Sequence, residues 1–197
     1  MNQGLQLKDQ VVLVVGGGRG IGRSVAHFSA KAGARVVISA RSESELKASV
    51  QEIQQEIPAA QISYQVCDVT KDQDVQNLIH STEKNIGPIF GLVCAAGIYG
   101  TIGAFDETPF DDWKQGFEIN VFGVARCIHA AVPFMKHRKK GRILLFSGGG
   151  QGAMPNFSSY VTGKGAIWRL TETLGAELAI HGIYLNSIAP GPVNTKF

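Results

Sequence analysis

Ser147, Tyr160 and Lys164 are the residues whose types and spacing most directly suggest chemistry, within the stretch RILLFSGGGQGAMPNFSSYVTGKGAIW. The stretch reads as a buried strand ending at Ser147, a glycine-rich loop, and a helix carrying Tyr160 and Lys164. Four steps of ~100° overshoot one helical turn by about 40°, so Tyr160 and Lys164 point the same way. Ser147, at the end of a strand, can face them across the loop. A hydroxyl, a phenol and an ammonium converging on one place form a proton-transfer arrangement. A free phenol, with a pKa of about 10, holds its proton too tightly to act as a base near neutrality. A nearby ammonium stabilises the phenolate, so Lys164 is expected to lower the pKa of Tyr160.

The elements that must position these groups alternate in type. Val11 to Val15 is an unbroken β-branched and aliphatic run, as in a strand buried on both faces. It runs into Gly16-Gly17-Gly18-Arg19-Gly20-Ile21-Gly22, then a helical pattern with Ile21, Val25, Phe28 and Ala32 on one side, ending at Gly33. Arg35 to Ala40, Gln61 to Val66, Ile89 to Ala95, Arg142 to Phe146 and Ile183 to Ile188 read as further strands. Between them lie a helix from Ser42 to Ile57 opened by a Ser42–Glu45 capping box, one from Lys71 to Ile86, and one from Pro109 to His137. The Tyr160 helix ends near His181-Gly182. This alternation implies right-handed crossovers and an α/β fold: a Rossmann-like, doubly wound parallel sheet in a three-layer α/β/α arrangement. No internal repeat or linker interrupts it, so residues 1–197 read as a single domain.

Composition narrows the class of molecule. Hydrophobic residues make up 44% and charged residues 18%, which excludes an intrinsically disordered chain. A net charge of +3 is too small to call for a polyanionic partner. Cys67, Cys94 and Cys127 are scattered through apolar runs and odd in number, which favours reduced, buried thiols over disulfides or a metal site. MNQGLQLKDQ lacks the pattern of a signal peptide, and no apolar run reaches the ~20 residues that span a bilayer. The expectation is a soluble cytoplasmic domain with no metal, no nucleic-acid partner and no membrane span.

The glycine turn between the first strand and first helix is built for phosphate. Glycines permit close backbone approach, and the helix start supplies unpaired N–H groups and a favourable dipole. The spacing is G-x-x-x-G-x-G on Gly16, Gly20 and Gly22, at the position where dinucleotides sit in this architecture. Gly18, Arg19 and Ile21 lie within the loop. An NAD site commonly carries an acidic residue at the end of the second strand. Here that strand ends in Ala40-Arg41, and Arg19 lies inside the loop. Two guanidiniums without a carboxylate at the strand end suit a 2′-phosphate, so NADP(H) is expected over NAD(H).

With Gly16-x-x-x-Gly20-x-Gly22 upstream and Tyr160-x-x-x-Lys164 downstream, the chain resembles the short-chain dehydrogenase/reductase family along essentially its whole length. The resemblance implies an oxidoreductase interconverting a small-molecule carbonyl and a secondary alcohol. It implies Tyr160 as acid in reduction and base in oxidation, Lys164 on the nicotinamide ribose, Ser147 on the substrate oxygen, and Asn120 positioning a water that relays protons to Lys164. Asp68, followed by Val69, is placed like the family aspartate that contacts adenine. Ala95, Ala96 and Gly97 would line the adenosine site. Pro190, Gly191, Val193 and Thr195 look like the segment flanking the nicotinamide, Thr195 bonding its carboxamide. Three positions depart from the family pattern: Val15 stands for a threonine that ties the glycine turn to the sheet, Cys94-Ala95-Ala96-Gly97 stands for Asn-Asn-Ala-Gly, and the chain stops at Phe197. Family members usually continue through a substrate-covering helical loop and a seventh strand. That departure keeps a second reading in play, a catalytically silent NADP(H)-binding or scaffold protein.

Other features carry less. Lys136-His137-Arg138-Lys139-Lys140 closes a helix and reads as a solvated end. Gly163 and Gly165 weaken the Tyr160 helix by about 1 kcal/mol each, and small residues admit a close surface. The family often pairs its two long helices with those of a second subunit, so a homodimer through the helices of Asn120 and Tyr160 is expected. Ile98, Tyr99, Phe105, Gln151, Met154 and Phe157 surround the expected nicotinamide end. They suit a partly apolar carbonyl or alcohol, with a 3-oxoacyl thioester, a steroid and a small ketone left undistinguished.

Overall fold

The computed structural model describes residues 6–148, 152–191 and 193. Six strands form one sheet: β1 (Val11–Val15), β2 (Arg35–Ala40), β3 (Gln61–Val66), β4 (Ile89–Cys94), β5 (Gly141–Phe146) and β6 (Ile183–Ile188). Their spatial order is β3-β2-β1-β4-β5-β6, and every pairing is parallel. The direction of winding reverses between β1 and β4. A crevice outside the carboxyl ends of the strands opens at such a switch point.

The helices are α1 (Gly20–Lys31), α2 (Glu43–Glu56), α3 (Asp72–Ser81), α4 (Phe110–Phe117), α5 (Val124–Arg138) and α6 (Ser158–Ala179). Alternation along the central strand divides the core. Val11, Leu13 and Val15 join side chains of α3, α5 and α6, while Val12 and Val14 join those of α1 and α2. All five β1 residues are buried, as expected for a strand covered on both faces. This is the doubly wound α/β/α sandwich that the alternation of elements implies.

Ile21, Val25 and Phe28 share one side of α1, with Val25 partly buried against the core, while the residues that the helix buries are Gly22, Ala26, Ser29 and Ala30. Phe28 is 65% exposed, and with Ile21 and Val25 it lines an outer groove of about 410 Å³. Small residues win the inner face because the helix start must approach the glycine turn. A Cβ on Gly22 would lie 2.1 Å from the Gly16 carbonyl oxygen.

The long helix expected from Pro109 to His137 is not continuous. It is interrupted by a π-helical turn, Glu118–Gly123, between α4 and α5. Another π-helical turn, Thr82–Ile86, follows α3. The basic cluster is also more than a solvated helix end. Arg138 makes paired bonds to Glu83 at 2.7 and 2.9 Å and donates to the Ile89 carbonyl, tying α5 to the start of β4. No helix among the described residues is long and apolar enough to cross a membrane.

Candidate active site

The crevice at the switch point is a cleft of about 540 Å³. Its walls include Gly16, Gly18, Arg19, Gly20, Ile21 and Gly22 from the first loop and Arg41 beyond β2. Asp68, Val69, Ala95, Ala96 and Gly97 come from the ends of β3 and β4. Gly16 has φ +88°, and a Cβ there would overlap the Ala96 nitrogen at 2.3 Å. The loop is therefore pressed against the end of β4, where only glycine fits. The hydroxyl expected from a threonine at position 15 is replaced by other bonds. Gly16 and Gly17 donate their N–H groups to the Ser39 carbonyl at 2.6 and 3.0 Å, and Ser49 Oγ donates to the Gly17 carbonyl. Ser49 carries no local signal that ties it to a turn 32 residues away.

Charge in the cleft is balanced rather than purely basic. Arg19 Nη1 donates to Glu45 Oε1 at 2.8 Å. Only half of the expected capping box forms, because Ser42 Oγ accepts from the Glu45 N–H while the Glu45 carboxylate goes to Arg19. Glu45, like Ser42, Cys67 and Ile119, is a lining residue that sequence reading did not place in the cleft, and Ile98, expected at the nicotinamide end, lines it too. The only signal for Glu45 was three-residue spacing from Ser42, which pointed to helix capping. At Asp68 burial pushes the carboxyl pKa up. Hydrogen bonds from the Thr70 N–H and hydroxyl, with the nearby Arg41 and Lys71 charges, outweigh that and hold it below the ordinary range. The three thiols are free and buried, and burial drives the Cys67 thiol up to about 12. No group of three or more His, Cys, Asp or Glu side chains among the described residues could hold a metal ion.

Tyr160 and Lys164 stand one turn apart on α6, with the Lys164 ammonium 5.6 Å from the centre of the Tyr160 ring. Lys164 is buried and donates to the Phe146 carbonyl at 2.7 Å, which fixes it at the strand end that carries Ser147. Ser147 Oγ donates to Ser187 Oγ at 3.3 Å. Burial lowers the Lys164 pKa to about 8. The expectation that Lys164 lowers the Tyr160 pKa is not met: burial first, and then the neighbouring Tyr99, raise it. The ammonium is turned to a backbone carbonyl, so desolvation dominates at the phenol.

Asn120 lies in the π-helical turn and is buried. Its side-chain oxygen accepts from the Ile98 N–H at 2.9 Å, and its amide donates to the Ile98 carbonyl at 2.8 Å. Both ends of the amide are thereby engaged in bracing the loop after β4. Tyr99, next along that loop, sits edge-on to Tyr160 at 5.1 Å and to Phe157 at 5.6 Å between ring centroids. Trp113 Nε1 donates to Ser158 Oγ, and Ser159 Oγ donates to the Trp113 carbonyl, anchoring α4 to the start of α6. Phe105 packs edge-on against that indole at 6.3 Å, and Met154 is half-buried. Pro190 and Gly191 follow β6 and are not cleft-lining residues, while Val193 lines the outer groove beside Ile21 and Phe28. Gln151 and Thr195 lie outside the described residues.

The geometry fits a bound dinucleotide at one end, and comparison with known proteins points the same way. A family model described as short chain dehydrogenase matches residues 10–197. Human dehydrogenase/reductase SDR family member 4 is 33% identical over 192 residues, covering 97% of this chain and 68% of that protein. The crystal structure of a variant actinorhodin polyketide ketoreductase with NADPH superposes with a TM-score of 0.90 at 31% identity, covering 95% of this chain and 72% of the other. NAD+-bound xylitol dehydrogenase gives a TM-score of 0.90 at 30% identity, covering 95% and 73%. With a glycine cradle at the switch point, a parallel sheet of this order and a family match along nearly its full length, the chain belongs to the short-chain dehydrogenase/reductase family of oxidoreductases.

Proposed function

We propose that this chain is an NADP(H)-dependent oxidoreductase that interconverts a carbonyl and a secondary alcohol, with Tyr160 as the acid/base. The observation that carries the reading is the glycine-cradled cleft at the switch point, lined by Arg19 and Arg41, in a chain whose Tyr160 and Lys164 share one helix face. Gly16, Gly18, Gly20, Ile21 and Gly22 would hold the pyrophosphate, and Asp68, Val69, Ala95, Ala96 and Gly97 the adenosine. Pro190, Gly191, Val193 and Thr195 are proposed for the nicotinamide end. When bound, the cofactor supplies or accepts the hydride.

The chain's own residues handle the proton. A phenol held above its ordinary pKa keeps its proton at neutral pH, which suits Tyr160 to protonate a carbonyl oxygen during reduction. Ser147, at the end of β5, would hold that oxygen, and Lys164 would exchange the Phe146 carbonyl for a ribose hydroxyl. Asn120 braces the Tyr99 loop through Ile98, and the second lone pair and second N–H of its side-chain amide would position a water that relays protons to Lys164. Tyr99, Phe105 and Phe157 favour an apolar carbonyl.

The test is a titration with NADPH and NADH, followed by NADPH oxidation against a panel of apolar ketones, steroids and 3-oxoacyl thioesters. NADPH should bind more tightly, and Tyr160→Phe should lower turnover by about 10²–10⁴-fold while sparing NADPH affinity. Equal or tighter NADH binding overturns the cofactor assignment, and substantial residual turnover removes Tyr160 from the acid/base role. NADPH binding without turnover of any panel member supports a catalytically silent nucleotide-binding protein instead.

A further inference from the structure

The charged residues lining the cleft are Arg19, Arg41, Glu45 and Asp68. Asp68 is engaged by Thr70, beyond β3. Glu45 is different, because it reaches from the first turn of α2 to a guanidinium on the glycine loop 26 residues earlier in the chain. Its backbone N–H is held by Ser42 Oγ at 3.3 Å, so the base of the side chain is set by the helix start. The carboxylate lies against the loop, with Oε2 3.7 Å from where a Cβ on Gly18 would stand. Oε1 takes Arg19, and Oε2 has no hydrogen-bond partner among the described residues.

We propose that Glu45 sets cofactor selectivity by competing with the 2′-phosphate for Arg19. The inference rests on the function proposed above, which gives Arg19 to that phosphate. A phosphate dianion and the Glu45 carboxylate cannot share one guanidinium without placing like charges side by side. Binding of NADP(H) therefore works against the Glu45–Arg19 pair. A ribose 2′-hydroxyl makes no such demand, because it can donate to Oε2 while Oε1 stays on Arg19. Both partners are open to water, at 44% and 36% side-chain exposure, so the pair is of the kind that exchanges readily. Glu45 therefore narrows the preference that Arg19 and Arg41 create and keeps NAD(H) usable.

The test compares dissociation constants for NADPH and NADH in the wild type, Glu45→Gln, Arg19→Ala and the double variant, each checked by its thermal midpoint. Glutamine keeps the length of the side chain and suits the third position of a helix start. Glu45→Gln should tighten NADPH by about five- to thirtyfold and leave NADH unchanged or weakened by about two- to fivefold. In the Arg19→Ala background the same change should shrink to under about threefold, a readout that a merely structural role would not give. Glu45→Ala, lacking any acceptor, should also tighten NADPH. NADPH affinity within about twofold of the wild type in both Glu45 variants, or weakened, overturns the proposal. A wild type that binds neither cofactor brings down the functional reading as well, whereas NADPH binding that ignores Glu45 brings down this inference alone.

Discussion

Lys164 is a buried ammonium that donates to a backbone carbonyl, and burial brings its pKa down to about 8. An unfolded lysine titrates near 10.4. Below pH 8 both states carry the proton and the folded chain bears the full desolvation penalty. Between about pH 8 and 10.5 the folded state releases its proton first, so stability from this group rises with pH. Wild type should therefore gain roughly 3 kcal/mol relative to Lys164→Met across that window, a comparison in which other titrations cancel. Urea unfolding of both proteins at pH 7.5 and 10.5 measures it. Parallel pH dependence in the two proteins would mean that Lys164 is not desolvated as described. Sequence reading put the lysine beside the tyrosine but could not see that the strand-end carbonyl would claim its proton donors, because that contact joins residues 18 apart.

At the scale of elements, the π-helical turn between α4 and α5 is the local irregularity that matters most. Periodicity alone described one long helix over this region. Packing is close on either side of the turn: a Cβ on Gly116, just before it in α4, would meet Ser159 Oγ at 2.1 Å, and one on Gly123, its last residue, would meet Val69 Cγ2 at 2.7 Å. Widened turns of this kind often occur at functional sites. Here the turn carries Asn120, which clamps both backbone groups of Ile98. Asn120→Ala should destabilise the chain by about 2–4 kcal/mol, since it leaves Ile98 without either partner. It should also reduce turnover by loosening the Tyr99 loop. Chemical denaturation checks the first effect, and a change below about 0.5 kcal/mol would show that water substitutes for the clamp. The six strands and their order along the chain were legible as short apolar or β-branched stretches alternating with helical patterns. The clamp was not, because an asparagine inside a helical pattern looks like any polar surface residue until its partner is known.

For the whole molecule, the outer faces of the long helices remain uncovered. Phe122 is 51% and Trp168 60% exposed, and Phe122 borders a groove of about 500 Å³ that runs to Val75 and His129. Gly165 has open space where a Cβ would stand, as a close-approach surface needs, while Gly163 instead faces Asn120 and Val121 within the chain. We propose that these faces pair two copies of the chain. Light scattering at micromolar concentration should give a dimer mass for the wild type and a monomer mass for Phe122→Glu combined with Trp168→Glu. A monomeric wild type would count against the pairing. On the opposite side, α1 and α2 cover β1 to β3, while Tyr184 on the edge strand β6 stays 53% exposed and stacks under Arg142.

The sequence by itself determined the alternation of strand and helix, the glycine turn after the first strand, and the helix face shared by Tyr160 and Lys164. Each of these depends on neighbours within one or two turns of chain, and the α/β class follows from their succession. Tertiary structure decided the rest. It placed β1 beside β4, opened the cleft between them, and pressed α1 inward on its small residues rather than its large ones. It turned Lys164 to a strand-end carbonyl and brought Glu45 to Arg19. Local pattern is written in adjacent residues, but the pKa of a buried group and the partner of a charge depend on which distant segments the sheet brings into contact.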